Sequence, residues 1–383
     1  MKRSLDRILT THVGSIIRPK ALLDAVAADR AGAPHGEYLA VLEASVEQVV
    51  RQQADAGLDI VNDGEFGKSE WANYATKRMT GFEHRPDSRV PFDWLGRDRE
   101  RFSEFMADHM PRGLTGGPAD ACTAPIRYQG NGEIQRDTAN LKAAAEKAGA
   151  AEAFLTAVAP ASVGYDAFNE YYSSEQDYVY AIAEALRAEY QAVHQSGLVL
   201  QVDDAVLANM YDHLTQHDPA NYRKWAGLRV EALNHALAGI PQDRVRYHIC
   251  FGSWHVPHVA DAPLEGFLDL MLSVNAGAYS IEAANVRHEH EVEVWSRVKL
   301  PADKILMPGV ITHHTTTVEH PQLVANRIVQ FAGYVGRENV IASADCGFAQ
   351  GEGVQRVHPQ VMWAKFGSLA EGARMATRQL WGR

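Results

Sequence analysis

Short apolar runs alternate along the whole chain with segments in which apolar residues recur at intervals of three and four. This interval is typical of an amphipathic helix, and residues 36–56 show it with Leu39, Leu42 and Val46 on one face. A continuous apolar run of strand length indicates instead a strand buried on both faces, as in a parallel sheet. The pattern therefore predicts strands that alternate with helices.

Eight runs have the length and composition of buried parallel strands: residues 8–15, 58–63, 154–158, 197–203, 244–250, 278–282, 304–310 and 339–345. Eight strands alternating with helices favour a (β/α)8 TIM barrel that forms one domain over residues 1–383. An open, doubly wound sheet is the alternative, but no G-x-G-x-x-G loop follows the first run. Residues 81–150 are rich in proline and glycine, which predicts an insertion after strand two, with a small hairpin and a helix at 137–148.

Polar side chains follow the predicted strands at the points where the strands end. The carboxyl ends of barrel strands meet on one rim, which is where barrel enzymes place their catalytic groups. We therefore expect the functional site among the polar residues of this rim: Ser15, Asp63, Glu65, Asp203, Asp204, His248, Cys250, Glu282, His313, His314, Asp345 and Cys346.

A histidine and two cysteines on this rim are candidate metal ligands. His248 and Cys250 alternate along one strand, so both side chains point the same way and can bind one ion. Imidazole with two thiolates selects Zn²⁺ over magnesium or calcium, and a carboxylate such as Glu282 can fill the fourth tetrahedral position. Passive burial of Cys250 and Cys346 as small apolar residues is the alternative. Cys122 lies in the irregular segment, and we expect it to be a passive thiol.

Composition and net charge favour small molecules over nucleic acids or membranes as the binding partners of this protein. The chain is 46% hydrophobic and 22% charged over 383 residues, which is ordinary for a soluble enzyme with a large core. A formal net charge of −11 argues against nucleic acid and against an anionic membrane, since both require a basic face. Three widely spaced cysteines do not make a disulfide framework, and the first residues are too polar for a signal peptide, so we expect a cytoplasmic protein that acts on small molecules.

Seven segments, in chain order, resemble the zinc-bearing catalytic barrel of the cobalamin-independent methionine synthase superfamily: residues 13–15 (Val-Gly-Ser), 63–65 (Asp-Gly-Glu), 200–203 (Leu-Gln-Val-Asp), 248–250 (His-Ile-Cys), 280–282 (Ser-Ile-Glu), 308–310 (Pro-Gly-Val) with His314, and 345–347 (Asp-Cys-Gly). The resemblance implies zinc ligands at His248, Cys250, Glu282 and Cys346. It also implies that the amino-acid thiol is held by Ser15, Glu65 and Asp203, and that His314 donates a proton. Short, single-barrel members of this superfamily include the epoxyalkane:coenzyme M transferases.

The activity that this resemblance implies is the alkylation of a thiol. Zinc coordination removes the thiol proton and keeps the sulfur nucleophilic. We expect methyl transfer from a 5-methyltetrahydrofolate-type donor to homocysteine, giving methionine, with His313 or His314 protonating the leaving nitrogen. The alternatives are a methyl donor simpler than folate, the opening of an epoxide by coenzyme M with Arg18 binding the anionic tail of the thiol, and a metal-free barrel that serves as a binding module.

The acidic and aromatic residues of the rim each have a second interpretation. Glu65, Asp203 and Asp204 are either substrate ligands or helix caps and partners of Arg18 and Arg246. As ligands, they suit a substrate with an ammonium group, as homocysteine has, whereas a sulfonate requires arginines. The aromatic residues after the third run can stack on a flat pterin ring or simply cap the barrel mouth: Tyr165, Phe168, Tyr171 and Tyr172.

Overall fold

The strands were assigned in a computed structural model that describes residues 1–88, 95–109, 119–165, 167–215 and 218–382. In chain order they are β1 (Leu9–Thr10), β2 (Ile60–Val61), β3 (Phe82–Arg85), β4 (Ala119–Cys122), β5 (Glu152–Val158), β6 (Phe168–Asn169), β7 (Val199–Asp204), β8 (Val245–Ile249), β9 (Ala278–Ile281), β10 (Ile305–Ile311) and β11 (Ile341–Ala344). Eight of them form one parallel sheet in the order β1-β11-β10-β9-β8-β7-β5-β2. The backbone N–H of Asp59 donates to the Thr10 carbonyl over 3.1 Å, which joins the two ends of the sheet. The predicted TIM barrel is confirmed.

The α-helices of the described residues are α1 (Lys20–Arg30), α2 (His35–Asp55), α3 (Tyr74–Lys77), α4 (Gly96–Arg101), α5 (Ser103–His109), α6 (Asn131–Ala148), α7 (Pro160–Val163), α8 (Glu175–Gln195), α9 (Val206–Thr215), α10 (Pro219–Ala236), α11 (Leu268–Leu272), α12 (Pro321–Val335) and α13 (Pro359–Trp381). Short 3₁₀ helices occupy Gln242–Arg244, Leu264–Gly266, Glu289–Ser296 and Arg337–Asn339. The long helices pack in neighbouring pairs around the barrel, as α2 with α6 and α12 with α13 do. None of the helices in the described part of the chain is long and apolar enough to cross a membrane.

The segment between β2 and β5 contributes two strands to a second, small sheet, and the third strand, β6, follows β5. Strand β3 pairs antiparallel with β4, and β4 pairs parallel with β6. The helix expected at 137–148 is part of α6, which begins six residues earlier and packs against α2 and α8 in the outer ring of the barrel. The described part of this segment also contains the short helices α3, α4 and α5. Residues 89–94 and 110–118 lie outside the described residues, and the extent of the insertion stays a prediction.

A layer of apolar side chains from the strands fills one level of the barrel interior. This small buried cluster comprises Leu9, Ile60, Phe154, Val199, Ala278, Ile305, Met307 and Ile341. The strands are buried on both faces because the helices cover their other side, which explains the continuous apolar runs in the sequence. The carboxyl ends of the strands lie beyond this layer and carry the polar residues of the rim.

Candidate functional site

Three of the predicted ligands come together at the carboxyl ends of β8 and β11. The ligand atoms of His248, Cys250 and Cys346 all lie within 4.8 Å of one another, and the two sulfurs are 3.4 Å apart. All three side chains are buried. Tetrahedral zinc with Zn–S distances of about 2.3 Å holds two sulfurs roughly 3.8 Å apart, so this pair is close to the spacing that zinc requires.

The histidine of this cluster has one nitrogen without a partner. His248 Nδ1 lies 3.2 Å from Ser280 Oγ, whereas Nε2 is buried and has no hydrogen-bond partner among the described residues. Burial, followed by the charge of Arg246, lowers the pKa of His248 to about 3, so the ring is neutral and Nε2 can act as a metal donor. A contact that orients one ring nitrogen while the other faces the ion is the usual arrangement of a metal-binding histidine. The cluster therefore fits zinc by its donor set and by its unpartnered nitrogen.

The predicted fourth ligand, Glu282, lies in a neighbouring group. Its ligand atoms lie within 4.8 Å of those of His313 and Asp345. One carboxylate oxygen accepts from the Phe251 N–H at 3.1 Å, and the other accepts from Arg287 at 2.8 Å. Burial, and next the charge of Glu282, raises the pKa of Asp345 to about 6. Glu282 is thus held by protein donors beside the thiol pair, and its coordination of a metal stays a prediction.

A cavity of about 320 Å³ adjoins the cluster. Several of the residues expected on the rim line it: Ser15, Glu65, Asp203, Asp204, His248, Cys250 and Cys346. Other lining residues were not identified from the sequence, among them Trp71, Asn209, Trp254, Gln350 and Arg356. Since the ligand cluster and the acidic residues share one cavity, a single small molecule can contact both.

Glu65 and Asp203 form an acidic pair in this cavity. Burial, then the charge of Glu65, raises the pKa of Asp203 well above its ordinary value, with Lys68 and Gln201 only partly offsetting this. Glu65 adopts a left-handed backbone conformation with φ 61°, and its Oε2 is buried without a partner among the described residues. Backbone strain of this kind is common where a side chain must be aimed at a ligand. A buried carboxylate with an unpartnered oxygen, beside a second carboxylate, suits a bound ammonium group.

Ser15 and Arg18 differ in their relation to the cavity. Ser15 lines it, and its hydroxyl donates to the Ala349 carbonyl. The Arg18 guanidinium donates to the carbonyls of Glu65 and Lys68, both at 2.9 Å, and Arg18 is not among the described residues that line the cavity. Arg18 therefore supports the loop that carries Glu65. Its role in reading an anionic tail stays a prediction, which these contacts do not favour.

Asp204 and Asp63 organise the backbone. Oδ1 of Asp204 accepts from the N–H groups of Val206 and Leu207, each at 3.0 Å, at the first turn of α9. Oδ1 of Asp63 accepts from the N–H of Glu65 at 2.9 Å. The capping interpretation therefore holds for Asp204. Arg246 is fully buried and donates to Thr11 Oγ1 and the His12 carbonyl, so neither of these aspartates is its hydrogen-bond partner.

The two candidate proton donors lie side by side after β10, with ring centroids 4.6 Å apart. His313 is fully buried, and its Nε2 lies 2.9 Å from Ser253 Oγ. His314 is half-buried, and burial followed by the charge of Arg287 lowers its pKa to about 4. At neutral pH His314 is thus a neutral imidazole, which can still donate its remaining N–H but is a weak acid. Which of the two donates the proton stays a prediction.

Two aromatic residues from different loops form a nearly parallel pair in the cavity. Trp71, after β2, and Tyr165, after β5, line the cavity with ring centroids 6.4 Å apart and planes only 15° from parallel. Tyr171 is 49% exposed and is not among the described lining residues. Trp71 and Arg356 were not predicted from the sequence, although both lie in loops that follow predicted strands. The acidic residues of the rim were identified by this same position.

Comparison with known proteins finds relatives that match almost the whole chain. The chain is 24% identical over 375 residues to the methionine synthase of Sulfurisphaera tokodaii, with 97% of this chain and 93% of that protein covered. It is 25% identical over 380 residues to the methionine synthase of Saccharolobus islandicus, with 98% and 97% covered. The structure of a B12-independent methionine synthase from Shewanella sp. W3-18-1, in complex with selenomethionine, has a TM-score of 0.75 at 17% identity, with 98% of this chain and 100% of that chain covered, and so shares the fold.

A family model provides the assignment. Residues 123–365, well over half of the chain, match the model described as cobalamin-independent synthase, catalytic domain. The matched range includes every residue of the metal-ligand cluster and both candidate proton donors. The chain therefore belongs to the family of cobalamin-independent synthase catalytic domains.

Proposed function

We propose that the protein is a zinc-dependent methyltransferase that methylates the thiol of homocysteine to give methionine. The observation that carries this proposal is the presence, in one cavity, of a soft-metal ligand cluster and an acidic pair. Family membership and relatives named methionine synthase support a methyltransferase of this type. A metal-free binding module would not require an imidazole and two thiols with their ligand atoms within 4.8 Å.

His248, Cys250 and Cys346 would hold the ion, with Glu282 as the proposed fourth ligand. When bound, zinc removes the proton of a substrate thiol and leaves the sulfur nucleophilic at neutral pH. We expect the substrate thiol to displace Glu282 from the metal, because both carboxylate oxygens of Glu282 have hydrogen-bond donors within the protein. The contacts of the cysteines are weaker: the Gly252 N–H lies 3.3 Å from the Cys250 sulfur, and the Ser253 hydroxyl lies 4.0 Å from it.

The acidic pair would position the amino acid. An ammonium placed between Glu65 and Asp203 neutralises their mutual repulsion and gives the unpartnered Glu65 oxygen a donor. The oxygen of Ser15 can accept a further hydrogen bond from the same ammonium, since its proton is directed to Ala349. Held in this way, the substrate thiol points to the side of the cavity formed by the cysteines.

The methyl donor would occupy the aromatic part of the cavity. The nearly parallel rings of Trp71 and Tyr165 offer apolar faces to a flat donor such as a methylated pterin. In the transfer, sulfur forms a bond to the methyl carbon while the bond from nitrogen to that carbon breaks. The electron pair stays on nitrogen, which takes a proton from His313 or His314.

A panel of substrates tests this proposal. Purified, zinc-loaded protein is given homocysteine, coenzyme M or glutathione together with methyltetrahydrofolate or epoxypropane, and the products are identified by mass. We expect methionine from homocysteine and methyltetrahydrofolate, with loss of the product in Cys346→Ser. Alkylation of coenzyme M, with homocysteine unchanged by every donor, would refute the proposal and leave the epoxide reaction.

A further inference from the structure

Arg356 places a positive charge in the cavity that the proposed reaction does not yet use. It follows β11 in the chain and lines the cavity together with Cys250 and Cys346. Burial lowers the pKa of Arg356, and the ionised forms of Cys346 and Cys250 would partly offset this because the two thiols are close neighbours of the guanidinium. Arg356 thus lies close enough to the thiols to contact a molecule bound there.

The guanidinium is held in a defined orientation. Arg356 Nε donates to Gln350 Oε1 at 2.5 Å, and Gln350 Nε2 donates to the Gly347 carbonyl at 2.6 Å. The backbone N–H of Arg356 donates to the Phe348 carbonyl at 3.1 Å. These contacts fix the inner nitrogen and the backbone, so the planar end of the side chain is preorganised.

The two terminal nitrogens of Arg356 are available for a ligand. Neither has a hydrogen-bond partner among the described residues, and no described carboxylate forms an ion pair with this side chain. Two other arginines near the site differ from Arg356 in this respect. The terminal nitrogens of Arg18 donate to backbone carbonyls, and those of Arg287 donate to carboxylates. A planar guanidinium with free nitrogens matches the geometry of a carboxylate or a sulfonate.

We propose that Arg356 binds the α-carboxylate of the thiol substrate and so makes the cavity selective for an amino-acid thiol. This inference rests on the proposed function and names the group that selects its acceptor. With Glu65 and Asp203 on the ammonium and Arg356 on the carboxylate, the cavity recognises both charged groups of an amino acid. A thiol with a sulfonate tail offers a similar anion to Arg356, but it has no ammonium for the acidic pair.

A binding experiment isolates the contact with the carboxylate. Zinc-loaded wild type, Arg356→Gln and Arg356→Lys are titrated by calorimetry with L-homocysteine, with 3-aminopropane-1-thiol, which lacks only the carboxylate, and with coenzyme M. We expect wild type to prefer homocysteine to the decarboxylated thiol by about 10- to 100-fold, the range of a charge-assisted hydrogen-bonded pair. Arg356→Gln should bind the two amino thiols almost equally, and Arg356→Lys should retain part of the preference.

A matched control separates this contact from a general effect on the loop. Arg30, at the end of α1, forms an ion pair at 2.7 Å with Glu352, which lies in the same loop as Arg356, and the Arg30 side chain is 59% exposed. Arg30→Gln should leave the preference for homocysteine intact, and the zinc content should be equal in all variants. Equal weakening of both amino thiols in Arg356→Gln, or the same loss in Arg30→Gln, would overturn the proposal.

The remaining outcomes distinguish this inference from the proposed function. Tighter binding of coenzyme M than of homocysteine in wild type, lost in Arg356→Gln, would overturn the amino-acid assignment. An Arg356→Gln variant that loses affinity for the methyl donor alone would also overturn it. Selective homocysteine binding that depends on Arg356, without methionine formation from any donor, would support the inference and refute the proposed reaction.

Discussion

Replacing Cys346 with serine should greatly weaken zinc binding. A structural zinc site in a small peptide contributes about 10–16 kcal/mol, or roughly 2.5–4 kcal/mol for each of four ligands. The sulfur of Cys346 lies 3.4 Å from that of Cys250, so the loss of one thiol leaves a single sulfur with His248. We therefore expect the affinity for zinc to fall by roughly 10²- to 10³-fold, since about 1.4 kcal/mol corresponds to a factor of ten.

Cys122 offers a matched control for this experiment. It is also buried, but it lies in β4, and its sulfur contacts the Ala124 carbonyl at 3.5 Å. Cys122→Ser makes the same chemical change away from the cluster and should keep full zinc. Competition with a chromogenic chelator measures the affinity, and elemental analysis gives the stoichiometry. Wild-type affinity in Cys346→Ser, or an equal loss in Cys122→Ser, would refute the assignment of the ligands.

Three further predictions concern the strands and histidines around the site. In Gly309→Ala, the new Cβ would lie 2.6 Å from Asp345 Cα, which forces β10 and β11 apart; urea unfolding should show a loss of about 1–3 kcal/mol. Gly333→Ala, where a Cβ meets nothing within 4 Å, should be neutral or gain up to about 1 kcal/mol. Burial lowers the pKa of His288, but hydrogen bonds to Asp261 and Glu291 raise it to about 9 overall. Protonated His288 therefore stabilises the folded state fully below about pH 6.5, and this stabilisation is lost as the pH rises through 9. Urea unfolding at the two pH values should show this loss in the wild type and not in His288→Gln. His314→Asn should lower kcat by about 10²-fold or more with unchanged zinc content, and an unaltered kcat would assign the proton transfer elsewhere.

The barrel was predictable because strands that are buried on both faces consist mainly of apolar residues. Residues 305–310 are apolar throughout and lie in β10, whereas apolar residues of β8 alternate with Arg246 and His248; both strands are buried along their whole length. Helix type was harder to predict. Residues 287–298 have helical spacing, yet the structure has a 3₁₀ helix at Glu289–Ser296, because both helix types accept a similar apolar pattern.

The site was only partly predictable for a related reason. His248 and Cys250 were identified from strand alternation, which is a local property. Asp204 was ambiguous, because an aspartate at a strand end is equally suited to a substrate and to the cap of a following helix, here α9. Arg356 could not be distinguished from Arg18 by sequence, since both lie in loops whose conformation depends on contacts distant along the chain.

The pairing of β1 with β11 has a consequence for the order in which the protein matures. A Cβ at Gly347 would lie 2.8 Å from that of Ser15, so the first and last strands deliver neighbouring parts of the same cavity. His248 and Cys250 leave the ribosome almost together, whereas Cys346 follows Cys250 by 96 residues. Before Cys346 has been synthesised, a metal ion can therefore contact only two of the three clustered ligands, and the barrel is not yet closed. Stable loading has to await the last strand, when most of the polypeptide has already been synthesised.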